Sequence, residues 1–314
     1  MSASQPSSHD LSVVIVSWNT RELLLQCLKS VYEEATASGL GVEAIVVDNA
    51  SSDGSADAVR EQFPEVTLLA MDENLGFAAA NNLGIERSNG DAILILNPDT
   101  ELCSGSLRAL LATLHASSHV GMSAPVLLNS DFSFQSAGYR FPGLAQTMLD
   151  LYPLHPRLIA SRFNGRYSAG DGLTPFQIDH PLGACMLVRR ETIQDVGMFD
   201  PGFFIYSEEI DWCRRIHEAG WTILCGPAAK VVHHGGQSTG QLPDRMRSQL
   251  HRSRARYFQK HESAAFRRTL QRLMQTGIRL KQSGLPLPSD GRSADDLAAI
   301  AAIYADADSG PGNE

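Results

Sequence analysis

The chain has 314 residues, of which 43% are hydrophobic and 19% charged, with a formal net charge of −9. That composition describes an ordinary soluble globular protein, and its apolar stretches fall far short of the ~20 residues that a helix needs to cross a bilayer. The five cysteines are scattered, odd in number and without a CxxC pair; this argues against structural zinc and a disulfide framework, and for a reducing cytoplasm.

Met1 to Asp10 is polar and Ser-rich, with no apolar run of the signal-peptide kind, and is expected to be disordered. Ser12-Val13-Val14-Ile15-Val16 is a β-branched run that reads as a fully buried strand. A helix follows from Arg21, with Asn19 or Thr20 as cap and Leu24, Leu28 and Val31 on one face. Further strands are expected at Ala44–Val47, Val66–Leu69 and Ala92–Leu96, with helices through Ala78–Ala80 and from Ser106 to His115. Strands that alternate with helices over about the first 120 residues imply right-handed crossovers and a parallel sheet.

After Val120 the pattern changes. Short strands are expected at Met122–Leu127, Phe132–Tyr139, Gln177–Ile178 and Cys185–Arg189, then a helix over Glu208–Glu218 and two strands, Thr222–Leu224 and Lys230–His233. Beyond Gln241 the chain reads as helical and basic to about Lys281. A linker, Gly284–Gly291, a short Ala-rich helix, Ala294–Ala305, and a disordered tail follow. The expected organisation is therefore residues 1–10 as a disordered start and 11–240 as a catalytic domain with halves 11–120 and 121–240. Residues 241–283 form a basic helical extension, and 284–314 the linker, helix and tail. From Arg245 to Lys281 the basic residues face a single acid, Glu262, so this arm carries a net charge of about +10 and the remainder about −19. An acidic body of that kind is not a nucleic-acid binder.

Ligands of open α/β sheets bind at the C-terminal edge of the strands, so the strand tips carry the functional signal. Strand one ends in Ser17-Trp18-Asn19, strand two in Asp48-Asn49-Ala50-Ser51-Ser52-Asp53-Gly54, and strand four in Asn97-Pro98-Asp99. No G-x-G-x-x-G follows strand one and there is no Walker A sequence, so the pocket reads its ligand through side chains. Asp48 can accept from a pyrimidine N3–H, and Trp18 can pack on a base. Asp99 has two readings: a ligand for a hard divalent cation that holds a diphosphate, or the cap of a helix that begins near Ser104.

Four ordered segments carry a family likeness: Val14–Asn19, Val46–Gly54, Asn74-Leu75-Gly76-Phe77 through Gly84, and Leu96–Asp99. Together they resemble family 2 glycosyltransferases, and among these the bacterial rhamnosyltransferase-like branch, over about Leu11 to His261. The resemblance implies an α/β GT-A fold with a mixed, mainly parallel sheet flanked by helices. It also implies a nucleotide-diphosphate sugar donor, a divalent cation (Mg²⁺ or Mn²⁺) and inversion at the anomeric carbon. It places donor contacts on Ser17, Trp18, Asn19, Asp48, Asn49, Asn81, Asn97 and Asp99, with Asp48 on the base and Asp99 on the metal. Asn97 stands where the common D-x-D motif has its first acid, so Asp99 is that motif's one carboxylate.

The resemblance also aligns the family's E-D-x-D motif with Glu208-Glu209-Ile210-Asp211, behind Ser207 as helix cap. The base that takes the acceptor's proton then falls on Glu209, with Asp211 as rival and Glu208 beside them; read without the family, the same segment is ordinary capping with Asp211 paired to Arg215. Gly183, Ala184 and Trp212 are the implied acceptor contacts. In Val231-Val232-His233-His234-Gly235-Gly236-Gln237-Ser238, His234 is the expected second metal or diphosphate ligand. The implied reaction moves a sugar, L-rhamnose from dTDP-rhamnose as first choice, onto a saccharide or lipid-linked saccharide in surface-polysaccharide synthesis. A UDP-hexose donor is the alternative. A sugar nucleotidyltransferase would want a Gly-rich, Arg-containing loop after strand one, which Ser17-Trp18-Asn19 does not offer. A catalytically silent nucleotide-sugar binder would have no use for the acidic set. The arm over 245–281 either lies on acidic lipid headgroups at the inner face of the membrane or pairs with the acidic body.

Overall fold

The computed structural model describes residues 9–153, 155–159, 161–235, 243–284, 288 and 291–307, without the side chains of 156 and 243–245. Expectations for the first eight residues, for Gly236-Gln237-Ser238, for the Arg245 side chain and for the tail beyond 307 lie outside the described residues.

Four strands form the parallel part of the sheet: β1 (Leu11–Ser17), β2 (Val42–Asp48), β3 (Thr67–Ala70) and β4 (Ala92–Leu96). The helices α1 (Arg21–Ser38), α2 (Ser55–Gln62) and α3 (Phe77–Arg87) connect them. β1 pairs in parallel with β2 on one side and β4 on the other, so the strand order runs β3-β2-β1-β4. Side chains alternate between two packed faces. Val13 and Ile15 join Leu24 and Leu28 of α1, while Val14 joins Ala78 and Ile85 of α3. Burial on both faces is why β1 and β4 are apolar without alternation. The direction of the crossovers reverses between β1 and β4, which opens a crevice outside their C-terminal ends.

The chain continues as β5 (Thr100–Leu102), α4 (Ser106–Leu114), β6 (Val120–Leu128), β7 (Phe134–Ser136), α5 (Leu144–Leu151) and α6 (Pro156–Ile159). It then forms β8 (Phe176–Gln177), β9 (Cys185–Arg189), α7 (Arg190–Val196), α8 (Glu208–Glu218) and β10 (Thr222–His233). The sheet extends from β4 as β9-β6-β10-β5, with β7 on β6 and β8 on β10. β9 is antiparallel to both β4 and β6, and β10 is parallel to β6. Thus the sheet is mixed on this side and parallel on the other.

Three local expectations need correction. The chain after Asp99 is strand β5, paired with the end of β10, and the next helix starts at Ser106 behind a left-handed Gly105. Asp99 therefore caps no helix. The two strands expected over 222–233 are one strand, with an irregularity between Gly226 and Lys230 that disguises its period. Ser207 sits at the N-cap position of α8 but in the left-handed region, with no capping bond from its side chain.

The basic arm forms α9 (Pro243–His261) and α10 (Ala264–Gln282), followed by α11 (Ala294–Asp306). They enclose a core of their own, in which Tyr257, Phe258, Leu270, Met274, Ile300 and Tyr304 pack with Leu151 at the end of α5 and Tyr152 just past it, and with Phe203 before α8 and Ile210 within it. The arm is thereby packed against the acidic start of α8.

Candidate active site

A cleft of roughly 390 Å³ lies outside the β1 and β4 tips. One end is walled by Trp18, Asn49, Asn74, Asn97 and Asp99, the other by Gly183, Tyr206, Glu208 and Glu209, with His233 also on its surface.

At the first end short turns aim the polar groups. Asp48, 3% exposed, accepts from the Ser51 amide through Oδ2 at 3.1 Å, while its Oδ1 is buried without a partner. Asn49 donates to Asn74 Oδ1 at 2.9 Å and to the Gly76 carbonyl at 3.3 Å, and accepts from the Leu75 amide at 2.8 Å. Gly76 has φ +82°, and a Cβ there would stand 2.4 Å from the Phe204 carbonyl. Only glycine lets that loop approach, and the Phe77 amide donates to the same carbonyl at 2.6 Å. Ser17 and Asn19 shape the turn rather than wall the cleft. The Ser17 and Thr20 hydroxyls meet at 3.0 Å, and Asn19 Oδ1 accepts from the Ser52 amide at 2.8 Å. Asn81 lies buried in α3, donates to the Phe77 carbonyl at 2.9 Å, and keeps an unpartnered Oδ1.

The Asn97-Pro98-Asp99 turn is tied down at both ends. The Asn97 amide donates to the Ala184 carbonyl at 2.9 Å, and the Asn97 carbonyl accepts from the Thr100 hydroxyl at 2.7 Å. Asn97 Oδ1 is buried without a partner. Asp99, 6% exposed, faces His233 rather than His234, with Oδ1 3.5 Å from His233 Nε2. His234 instead bonds Glu101 through Nε2 at 2.7 Å and Ser130 through Nδ1 at 2.8 Å, pinning β5 to the turn before β7. Adjacent residues at a strand end project to opposite faces, so only one of the pair can reach Asp99. The structure thus brings the side chain of His233, and not that of His234, beside the Asp99 carboxylate, as the alternation along β10 requires. Asp99 and His233 face each other in a cleft that Asn97 also lines, and bring the oxygen and nitrogen donors that a small divalent cation takes. Among the described residues no group of three or more His, Cys, Asp or Glu is arranged as metal ligands.

At the other end the carboxylates part company. Glu208 and Glu209 sit side by side, each with a buried oxygen that has no partner. Loss of hydration raises Glu209 to about 7. Loss of hydration and the neighbouring Glu209 push Glu208 well above the usual carboxylate range. Gly183 packs against Glu209, and a Cβ there would stand 3.4 Å from that side chain, about van der Waals contact. Tyr206 and Ser207 enter α8 with φ +69° and +64°, two consecutive left-handed non-glycine residues at the cleft wall.

Asp211 is turned away from the cleft. It is 0% exposed and accepts from Arg215 at 3.0 Å and from Lys260 and His261 at 2.7 Å each. Burial opposes its ionisation, but the hydrogen bonds from His261 and Lys260 and the charge of Arg215 hold it down at about 2. Trp212 is fully buried against Phe199, its indole donating to the Gly197 carbonyl at 2.8 Å. Asp211 was the rival base and Trp212 an expected acceptor contact; the structure buries both side chains in the interior, outside the cleft lining. The pairing of Asp211 with Arg215 is present as expected, although its partners on α9 were not legible locally.

With this geometry in place, likeness to known proteins is informative. The model of glycosyl transferase family 2 matches residues 12–197, which is more than half of the chain. The chain belongs to glycosyl transferase family 2. An N-acetylglucosaminyl-diphospho-decaprenol L-rhamnosyltransferase of Mycobacterium tuberculosis is 30% identical over 251 residues, covering 74% of this chain and 78% of that protein. A dTDP-rhamnosyl transferase of Shigella flexneri, RfbF, is 22% identical, covering 74% of this chain and 72% of that one. Among solved structures, a Pyrobaculum calidifontis mannosyltransferase in complex with GDP-Man and Mn²⁺ superposes with a TM-score of 0.54 at 18% identity, covering 99% of this chain and 80% of that one. GalNAc-T7 with UDP, GalNAc and Mn²⁺ gives 0.56 at 18% identity, over 72% of this chain and 43% of that one. These likenesses show a shared GT-A fold, and the family makes the protein a glycosyltransferase.

Proposed function

We propose that this family 2 glycosyltransferase inverts the anomeric carbon of a nucleotide-diphosphate sugar, with Glu209 as general base. One observation carries the reading: a carboxylate raised to about 7 faces the cleft that Asp99 and His233 also enter. Such a group is ionised near neutral pH yet basic enough to take a proton from an acceptor hydroxyl. Glu208, beside it, is pushed well above the usual carboxylate range by burial and by the charge of Glu209.

Asp48 Oδ1 accepts the N3–H of a pyrimidine base, Trp18 packs beside it, and Asn49 holds the loop to Asn74 in place. Asp99 and His233, with Asn97 beside them on the cleft wall, would hold a divalent cation, whose charge would stabilise the departing diphosphate. Solved neighbours that carry Mn²⁺ support that assignment. Gly183 and Ala184 line the acceptor side. The donor is dTDP-rhamnose and the acceptor a lipid-linked saccharide, a reading supported by the names of the Mycobacterium and Shigella relatives.

The acceptor brings the enzyme to the cytoplasmic membrane surface, and the basic arm divides accordingly. Arg256 and Lys260 of α9 pair with Asp200, and Arg254 with Asp150, so they hold the arm to the body. The exposed Arg268, Arg272 and Arg279 of α10, beside exposed Leu273 and Leu280, are the surface for acidic headgroups. Among the described residues no helix is long and apolar enough to cross a membrane.

The test is thermal stabilisation by dTDP-rhamnose and UDP-hexoses with and without Mn²⁺ or Mg²⁺, followed by transfer assays with Glu209→Gln. Donor binding that survives with transfer abolished supports the reading; transfer that survives overturns the base. Equal binding to neutral and anionic vesicles overturns the α10 surface.

A further inference from the structure

His233 can offer a lone pair toward Asp99 only if its Nε2 carries no proton, and the structure contains a device that decides this. Gln135, at the centre of β7, makes three contacts. Its Oε1 lies 2.8 Å from His233 Nδ1, and its Nε2 donates at 2.9 Å to the His233 backbone carbonyl and at 2.9 Å to Asn129 Oδ1. A backbone carbonyl only accepts, so the amide nitrogen of Gln135 must face it. The carbonyl oxygen of Gln135 then must face Nδ1, and Nδ1 must be the donor. An imidazole with its proton on Nδ1 has its lone pair on Nε2.

The competing arrangement places the proton on Nε2 and points it at Asp99. At 3.5 Å that contact is too long for a good hydrogen bond, and Nδ1 would meet the Gln135 oxygen lone pair to lone pair. The clamp closes on one residue's side chain and backbone together, which fixes ring rotation as well as proton position.

We infer that Gln135 is a positioning residue that locks His233 in the Nδ1–H tautomer and so prepares Nε2 to bind a divalent cation beside Asp99. It touches no substrate and acts through the histidine. The inference rests on the cation reading of this site, but the tautomer itself is observable without metal or substrate. Partners of this type tune metal affinity by about 10- to 100-fold in other metal sites.

Gln135→Leu removes both halves of the clamp, and Gln135→Glu keeps the acceptor opposite Nδ1 while losing the donor. Long-range proton–nitrogen spectra of the metal-free, ¹⁵N-histidine-labelled protein at pH 8 report the tautomer, with His233→Ala identifying the signals. The wild type and Gln135→Glu should show Nδ1–H, and Gln135→Leu should move toward Nε2–H. In parallel, Mn²⁺ binding in the presence of dTDP, read from the free-ion paramagnetic signal, should weaken about 10-fold or more in Gln135→Leu and stay within a few-fold in Gln135→Glu. An unchanged tautomer in a folded Gln135→Leu overturns the inference, as does Nε2–H in the wild type or in Gln135→Glu. Mn²⁺ binding that ignores His233→Ala instead overturns the cation site, and the tautomer spectra still decide the role of Gln135.

Discussion

The two ends of the cleft hold their charges in opposite ways. At the donor end the polar groups are braced both locally, as Asp48 is by Ser51, and across the fold, as Asn49 is by Asn74 and the Asn97 amide by Ala184, and single oxygens of Asp48 and Asn97 are left buried without partners. At the acceptor end two neighbouring carboxylates are deprived of water and partners together, on a backbone that enters its helix in left-handed conformations. In the proposed reading the first arrangement presents fixed acceptors to a ligand's donors and cation. The second raises proton affinity, which a base needs and a binding site does not. Within one helix the contrast is sharper: Glu209 is raised to about 7, and Asp211, two residues on, is held at about 2 by His261, Lys260 and Arg215.

The largest effect should come from the raised group. Glu209→Gln should lower turnover by about 10³-fold while donor-induced stabilisation stays within about twofold. In the wild type, kcat/KM should fall about tenfold per pH unit below about 7, as Glu209 takes up its proton. A limb near 4, or full activity in Glu209→Gln beside a dead Glu208→Gln, would give the base role to another group.

Next comes the depressed group, whose effect is on folding. Asp211→Asn removes the charge that pairs with Arg215 and Lys260 and accepts from His261, and should cost about 2–4 kcal/mol at pH 7. Its carboxyl is lowered in the fold, so this stability is present above its unfolded pKa and is lost as pH falls toward about 2. Denaturant unfolding should thus show wild type and Asp211→Asn far apart at pH 7 and drawing together in acid. The pH limb of kcat/KM should not move. A shifted limb would mean that Asp211 takes part in the proton transfer.

These two carboxylates also show what the amino-acid order discloses. The strands β1, β2 and β4 end in polar turns directly after apolar runs, so the parallel platform and the polar strand tips at its edge are legible from local patterning. The acidic motif is contiguous in sequence, but a helix turns by about 100° per residue and sets Asp211, two positions on, opposite Glu209, while Trp212 is taken into the core by its packing on Phe199 and its bond to the Gly197 carbonyl. His261 and Lys260, which decide the state of Asp211, lie on α9, 50 and 49 residues away, and nothing local announces them. Gln135 was missed because a lone amide in a three-residue strand carries no pattern, and its role exists only once β7 lies beside β10.

A smaller effect separates the paired histidines. His233→Ala should weaken Mn²⁺ binding with dTDP by about 10- to 100-fold, whereas His234→Ala should change it by less than about threefold. His234→Ala removes the clip between Glu101 and Ser130, so a slightly lower melting temperature is its expected signature. The reverse ranking would restore His234 and detach Asp99 from its partner across the sheet.

The smallest effect tests whether the raised proton affinity of Glu209 is a cost built into the fold. A carboxyl whose folded pKa lies above its unfolded one is bound by the proton more tightly in the native state. Its favourable contribution is therefore complete below the unfolded value and lost as pH rises through about 7. Glutamine cannot ionise and escapes that loss. Glu209→Gln should melt a few degrees above the wild type at pH 8 and level with it near pH 5, in the same variant that has lost transfer. A gain of equal size at both pH values would trace the effect to packing against Gly183 rather than to desolvated charge. If there were no gain at pH 8, hydration within the cleft would already meet the demand of the carboxylate, and the contrast with Asp211 would reduce to the ion pairs on α9 alone.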